Sequence, residues 1–196
     1  MAALADYADL RRAIVEETGH PEVSDVLGRL VLQTESALNQ RIRHRKQITA
    51  ATVTFTDGVA PLPADYLEML HVYDTSGSEL FATDLANQKK SGGQYRYYAI
   101  DDGNIVIYGL SGDRSIVYFA ALPSVADTLT DSNWLLSQYP GVYVHGVAYE
   151  VAKYLHDEKM AAREVQLFDA AVTAMKIDGD RARYGNGVIR GKWLTP

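Results

Sequence analysis

The chain has 196 residues and a formal net charge of −6 at pH 7, with 47% hydrophobic and 22% charged residues, the composition of an ordinary folded protein. It has no cysteine, so disulfides and thiolate metal sites are excluded. The acidic balance argues against a dedicated nucleic-acid-binding protein. No run of about 18 apolar residues occurs, so no membrane span is expected.

Two helices are predicted at the start of the chain. The first ends at Gly19-His20-Pro21, because glycine favours a helix C-cap and the residue before proline avoids the helical region. The second is predicted over about residues 22–45. The apolar faces consist of Leu4, Tyr7, Leu10 and Ile14 in the first helix, and of Val23, Leu27, Leu30, Val31, Thr34, Leu38 and Ile42 in the second.

Residues 48–125 are predicted to form an inserted antiparallel β domain. Short segments rich in β-branched and aromatic residues alternate here with turn signals. The last three strands are predicted to form a meander, and "ATDLANQKK" to form one or two helical turns. The turn signals are Asp57-Gly58, Ser76-Gly77, Asp102-Gly103 and Ser111-Gly112.

Helical periodicity returns near Asn133 and continues to about residue 184. The order of elements predicts an α+β fold, in which a helical bundle built from both chain ends (1–47 and 126–184) carries the inserted antiparallel β domain. Residues 185–196 are predicted to be an extended C-terminal arm. The two apolar stripes are Tyr143, Val147, Val151 and Tyr154, then Met160, Val165, Phe168, Ala171 and Met175.

A search for catalytic and metal motifs finds none. The histidines lack the His-x-x-x-His and His-Glu-x-x-His spacings of zinc sites, and no nucleophile elbow or phosphate loop occurs. "DDGNIVIYG" begins like a calcium loop but lacks the closing glutamate, and a hairpin turn explains it. The sequence therefore predicts no enzyme, cofactor or metal site; a small hydrolase with an unmarked site stays open as an alternative. The histidines are His20, His44, His71, His145 and His156.

The densest basic patch is "RIRHRK", with Arg41, Arg43, Arg45 and Lys46. One interpretation is a solvated helix end, where cations suit the negative end of the helix dipole. The other is a contact with an acidic neighbouring subunit or with DNA phosphate. Residues 49–125 hold nine acidic and four basic side chains, so an acidic partner exists within the chain itself.

Tyrosines are concentrated in "QYRYY". Alternation along a strand would place Tyr95 and Tyr97 on one face and Tyr98 on the other. Some of these rings could be core, and the rest would form an aromatic surface for a partner. The simpler interpretation is that aromatic residues are good strand formers.

The C-terminal arm combines features of a mobile tail and of an interface. Gly185, Gly187 and Gly191 make ordering entropically costly, whereas tryptophan often anchors interfaces. We predict that the arm orders on docking; a disordered end is the alternative. Its candidate contact residues are Tyr184, Val188, Ile189, Arg190, Lys192 and Trp193.

Three places in the chain together carry a family resemblance. They are the opening helix pair from "LADYADLRRAIVEE", the segments "VAPLPADYLEMLHVY" and "QYRYYAIDDGNIVIYG", and the closing helices from "NWLLSQYPGVYVHG". None is diagnostic alone, but their ordered set is more specific. In this order the chain resembles the head–tail adaptor (connector) proteins of tailed bacteriophages.

The resemblance implies a structural virion protein of the neck between head and tail, made in the host cytoplasm. Such proteins form homo-oligomeric rings, commonly dodecamers, that dock under the portal protein, extend the DNA channel and provide an attachment platform for the tail or the next neck protein. Genomic DNA would pass through without specific binding, and no membrane is involved. Another neck or tail component, such as a stopper or tail terminator, is the first alternative.

The resemblance also assigns roles to the candidate residues. The C-terminal arm would dock on the portal. The basic patch would lie at a subunit or portal interface, and the tyrosines of "QYRYY" would form a tail-facing surface.

Overall fold

The structure is a computed structural model that describes residues 4–90 and 96–184. Over these residues the chain forms six α-helices, two short 3-10 helices and one seven-stranded sheet. The α-helices are α1 (Tyr7–Thr18), α2 (Leu27–Arg41), α3 (Leu85–Lys90), α4 (Trp134–Gln138), α5 (Pro140–Tyr154) and α6 (Glu158–Tyr184). The 3-10 helices are Pro21–Asp25 and Arg45–Gln47. The strands are β1 (Ile48–Phe55), β2 (Val59–Pro61), β3 (Tyr66–Tyr73), β4 (Glu79–Ala82), β5 (Tyr97–Asp101), β6 (Asn104–Val106) and β7 (Gly112–Ala120).

The chain divides into two compact units. The helical unit consists of Met1–Arg45 and Pro123–Pro196, and the β unit of Lys46–Leu122. None of the helices over the described ranges has the length and apolar character needed to cross a membrane.

The first two helices begin and end where their local chemistry dictates. The Asp6 side chain caps α1 by accepting a hydrogen bond from the Asp9 N–H, and Gly19 ends the helix in the left-handed conformation. The second helix is shorter than predicted at both ends. Pro21–Asp25 is a 3-10 helix, so α2 begins only at Leu27. It ends at Arg41, where Ile42 turns extended (φ −111°, ψ 141°). In an extended chain alternate side chains point to opposite sides, so Ile42 is buried and Arg43 exposed.

Helix α5 is the centre of the helical unit, and α1, α2 and α6 all pack against it. Three of these helices pack tightly at Gly146 of α5. A Cβ atom built there would lie 2.7 Å from Thr34 Cγ2 and 2.9 Å from the Phe168 ring. A separate short helix, α4, precedes α5, because Tyr139 stands before a proline and leaves the helical region.

The β unit is a nearly closed sheet with strand order β1-β7-β3-β4-β5-β6-β2. The edge strands β1 and β2 follow one another in the chain, and a bridge between Thr56 and Val59 joins them. The sheet encloses the core of the unit, whose buried residues include Phe55, Ile105 and Ile116.

Two details of the predicted β domain are wrong. Strands β4 and β5 pair in parallel, whereas the other five pairs are antiparallel. The meander also fails at its third strand, because β7 lies between β1 and β3 and not beside β6. After β6 the Ile107 N–H donates to the Gly58 carbonyl oxygen at 2.8 Å. A Cβ atom at Gly58 would lie 2.8 Å from the Ile107 carbonyl oxygen, so a glycine at this position allows the two segments to approach closely. The chain then continues to β7, which pairs with β1 and β3.

Candidate assembly interfaces

The basic patch forms part of a cavity in the helical unit. The cavity has a volume of about 300 Å³ and lies between the end of α2 and the last turns of α6. Its lining brings together three arginines predicted from the sequence and adds Lys176 from α6. Lys46 is not part of the lining and begins the β unit. The lining residues, hereafter the basic cavity, are Arg41, Arg43, His44, Arg45, Lys176, Gly179 and Asp180.

His44 packs inside the helical unit next to this cavity. It is buried, and its ring stacks on Trp134 with centroids 4.7 Å apart and an interplanar angle of 17°. The Tyr139 ring meets it edge-on. A Cβ atom at Gly179 would come within 2.5 Å of the His44 ring. His44 is therefore a packing residue that fixes the chain just beyond α2, and a glycine in α6 makes room for it.

Cations of the basic cavity have partners within the helical unit. Arg41 pairs with Asp169 at 2.5 Å. Arg43 Nη1 donates to the carbonyl oxygens of Asn39 and Ile42 at 2.8 and 2.7 Å, so part of its role is the helix-end role expected of a cation. Four cations line the cavity, against Asp180 in the lining and Asp169 beside Arg41.

A nearby carboxylate, Asp178, has another partner. It accepts a hydrogen bond from the Tyr139 hydroxyl. Burial and this carboxylate raise the pKa of Tyr139 to about 12, so the phenol stays neutral at pH 7. Because a neutral phenol does not neutralise a carboxylate, Asp169, Asp178 and Asp180 together offset three of the four cations that line the basic cavity.

The structure describes two of the three tyrosines of the predicted aromatic surface, and one of them is buried. Tyr95 lies outside the described residues. Tyr98 is 6% exposed and belongs to the core of the β unit. Tyr97 is 38% exposed and packs against Phe81, which is 60% exposed, with ring centroids 6.3 Å apart. Among the described residues of the β unit, Phe81 and Tyr97 therefore form an exposed aromatic pair, which the parallel β4–β5 register brings together.

A buried polar network holds the start of the C-terminal segment against α2 and α5. The Glu35 carboxylate accepts hydrogen bonds from the Val125 N–H and the Tyr143 hydroxyl, both at 2.9 Å. Asn133 Nδ2 donates to the same hydroxyl at 2.7 Å and to the Pro123 carbonyl oxygen at 2.8 Å. The Asn133 side chain also caps α4. In the "NWLLSQYPGVYVHG" segment, Asn133 thus serves as a helix cap, and Tyr143 serves as a buried hydrogen-bonding residue.

Glu35→Gln tests this network through its pH dependence. Burial raises the pKa of Glu35 above its ordinary value of 4.5, against the opposing effect of its hydrogen bonds. The folded protein therefore binds the proton more tightly than the unfolded chain, and the stability contribution of this group falls as pH rises above 4.5. We expect the free energy of unfolding of Glu35→Gln, relative to the wild type, to increase between pH 4 and pH 7.

Urea unfolding at several pH values measures this difference, and the exposed Glu16→Gln is the matched control. A difference between Glu35→Gln and the wild type that did not change with pH would contradict the predicted role of burial.

A second cluster joins α1, α5 and α6. The ligand atoms of Glu17, His145 and Glu164 lie within 4.8 Å of one another, close enough for a metal ion. Arg163 pairs with Glu17 at 2.8 Å and with the buried Glu164 at 2.5 Å, and His145 Nδ1 lies 2.8 Å from Glu164. Because the guanidinium already supplies positive charge to both carboxylates, the cluster fits an ionic network between helices.

Two of the other histidines pair with nearby carboxylates. His20 pairs with Glu22 at 2.6 Å and His71 with Glu79 at 2.5 Å. His156 takes a left-handed conformation (φ 57°) just after α5. These positions do not converge on a single site.

The predicted arm residues Val188, Ile189, Arg190, Lys192 and Trp193 lie outside the described residues. Tyr184 is the last residue of α6. Their role in docking therefore stays a prediction.

Comparison with known families decides what kind of protein this is. A family model described as SU10 adaptor protein matches residues 5–191, which is nearly the whole chain. The chain belongs to the SU10 adaptor protein family. A search of curated proteins gives no match to the adaptor. The family confirms the predicted resemblance at the level of a phage structural adaptor, a virion component that interacts with other head or tail proteins.

Proposed function

We propose that this adaptor forms a closed ring, a dodecamer, that docks under the portal protein, extends the DNA channel and provides the attachment platform for the tail or the next neck protein. The observation that carries the proposal is the family match, which spans both units and continues to residue 191. The family is structural, so the proposed role involves no catalytic turnover.

The two units would have different roles in the ring. The helices contributed by both chain ends would form a bundle that acts as the ring wall, with the C-terminal arm reaching to the portal. The β unit would present the Phe81–Tyr97 pair to the tail side. Exposed aromatic residues suit this role, because aromatic side chains are enriched at protein interfaces.

The proposed conduit must let DNA pass without holding it. Each phosphate contact adds affinity through counterion release. A chain with a net charge of −6 opposes such retention, and this supports a channel that genomic DNA crosses without specific binding.

Electron microscopy of the purified adaptor mixed with the portal protein of the same phage tests the proposal. A closed ring stacked coaxially under the portal is the expected result. A ring that binds the tail tube but ignores the portal would indicate a stopper or tail terminator instead.

Charge reversal at the basic cavity should block assembly. We expect Arg43→Glu with Arg45→Glu to prevent ring formation or portal docking, because the variant replaces two cations of the cavity with anions. Arg29→Glu with Lys159→Glu changes the net charge equally at exposed positions outside the cavity and is the control. Sedimentation measures assembly, and circular dichroism confirms the fold. If the cavity variant assembled as well as the control at moderate salt, the basic patch would be only a solvated helix end.

A further inference from the structure

The sheet of the β unit stays open between its two edge strands. At the bridge between β1 and β2, Thr56 and Val59 each donate an N–H to the other's carbonyl oxygen, at 2.9 and 3.1 Å. Over the described residues these two strands make no further pair, because β1 otherwise pairs with β7 and β2 with β6. A concavity of about 350 Å³ lies between them, hereafter the β1 gap. Its lining residues are Thr52, Val53, Thr54, Pro61, Leu62 and Pro63.

Two prolines explain why the sheet does not close here. In an antiparallel hairpin the residue pairs that exchange hydrogen bonds recur at every second position. Counting from the bridge, Thr54 stands opposite Pro61, and the next such pair is Thr52 with Pro63. Proline has no N–H to donate, so β2 cannot supply a bond to either threonine carbonyl oxygen. The same alternation directs the N–H and carbonyl groups of both threonines into the β1 gap and not toward β7.

The open edge of β1 lacks the usual protection of an exposed edge strand. Natural sheets block such edges with proline, lysine or other charged side chains, because an unpaired edge binds strands of other chains. The prolines at the gap belong to the β2 side, whereas β1 (ITAATVTF) has neither a proline nor a charged side chain. Thr52 and Thr54 are exposed. The edge of β1 is therefore accessible and able to pair with another strand.

The charges beside the β1 gap favour a basic segment. On one side, Asp113 accepts a hydrogen bond from Thr54 Oγ1 at 2.7 Å. On the other side, the Leu62 N–H donates at 3.0 Å to the Gly103 carbonyl oxygen in the Asp102-Gly103 turn. Arg114, next to Asp113, offsets one of these two carboxylates. Residues 49–125 as a whole hold nine acidic and four basic side chains, so the surroundings are also acidic.

We propose that the β1 gap receives an extended, basic segment of the neck or tail protein that follows the adaptor, which pairs with β1 as an added strand. Its backbone supplies the N–H donors that Pro61 and Pro63 lack, and its carbonyl oxygens accept from Thr52 and Thr54. A β-branched residue suits the side chain that enters the gap, and a lysine or arginine suits the carboxylate of Asp113. The inference rests on the proposed tail-side role of the β unit and names the contact that the unit makes.

An extended polypeptide fits this edge, and a nucleic acid does not. The edge alternates N–H donors with carbonyl acceptors, and the backbone of another strand carries the same groups at the same spacing. A phosphate backbone offers acceptors only. It also carries a dense negative charge, which the carboxylates beside the gap repel.

Replacing Thr52 with proline tests the contact, because it removes the N–H that faces the β1 gap and none of the bonds to β7. Proline is tolerated at such an edge position. Each neck or tail protein of the same phage, added singly to portal-bound rings, is the probe. We expect Thr52→Pro to weaken binding of the tail-side protein at least tenfold. Thr52→Val also loses the hydroxyl but keeps the N–H, so this control should bind like the wild type.

Amide hydrogen exchange of the unchanged chain gives a second readout, which does not depend on the fold of a variant. In the free adaptor, the Thr52 and Thr54 amides should exchange much faster than the Val53 and Phe55 amides, which face β7. In the complex with the tail-side protein, exchange at Thr52 and Thr54 should slow at least tenfold. A contact through side chains alone would not give this protection.

The outcomes separate the added strand from the proposed function. A tail-side protein that binds without protecting Thr52 and Thr54, and equally well to Thr52→Pro, would overturn the added strand and leave tail attachment standing. Protection already present in rings of the adaptor alone would assign the β1 gap to a neighbouring copy and overturn the tail-side partner. If none of the neck and tail proteins bound the ring, both the strand and the proposed attachment platform would be wrong.

Discussion

Replacing Gly146 with valine should lower the free energy of unfolding by about 3 kcal/mol, the upper part of the range for overpacked cores. A Cβ atom there already meets Thr34 at 2.7 Å and the Phe168 ring at 2.9 Å, and valine adds two methyl groups. Both neighbours are buried, so neither has open space to move into. Urea or thermal unfolding measures the loss.

The control for this variant is Gly28→Ala, also within a helix. Its added Cβ would meet only the Tyr7 hydroxyl, at an ordinary contact distance of 3.5 Å. Alanine is favoured over glycine in a helix by up to about 1 kcal/mol, so Gly28→Ala should be neutral or stabilising. If Gly146→Val were as stable as the wild type, the three helices would not meet at Gly146 as described.

Deleting residues 185–196 should abolish portal binding while leaving the helix content unchanged. The described core of the helical unit is complete by Met175 on α6, so the arm is not needed to bury it. The sequence of the arm nevertheless contains Val188, Ile189 and Trp193, and tryptophan often dominates the binding energy of an interface. The family match continues to residue 191, so it includes residues 185–191 of the arm.

Trp193→Ala in the full chain separates the side chain from the length of the arm, and we expect it to reproduce much of the lost binding. Thr195→Ala is the control within the same segment. Binding to immobilised portal rings measures both variants, and circular dichroism checks the fold. Undiminished docking of the truncated protein would remove the arm from the proposed function.

The sequence predicts the helical elements well where a local signal exists. Tyr7, Leu10 and Ile14 are buried as their spacing indicates, and Gly19 is the cap. The end of α2 is less predictable, because residues 42–45 continue a plausible helical pattern. The helix ends there because Ile42 and His44 are both buried, and an extended chain turns these two alternate side chains to the same side. That burial depends on distant partners such as Trp134 and Gly179, which no local pattern contains.

The candidate interfaces show the same limit. The three arginines of the basic cavity lie within five residues of one another, so the sequence alone identifies them as a basic patch. Lys176 lies on another helix, and no local sequence signal links it to them. Tyr97 was a candidate, but Phe81 joins it only through the parallel β4–β5 register. Strand alternation alone could not say which face of β5 is buried, and the structure places Tyr98 in the core.

The pairing of Ile48 with Phe119 has a further consequence for how this fold can vary. These residues lie close to the first and last residues of the β unit, and paired antiparallel strands hold their Cα atoms about 5 Å apart. The whole unit is therefore attached through two neighbouring strand ends, much like a short surface loop. Closure entropy grows only slowly with the length of an insertion. Strands and hairpins elsewhere in the sheet can thus be lengthened, shortened or exchanged without stretching this attachment, so the β unit can change while the helical unit stays unchanged.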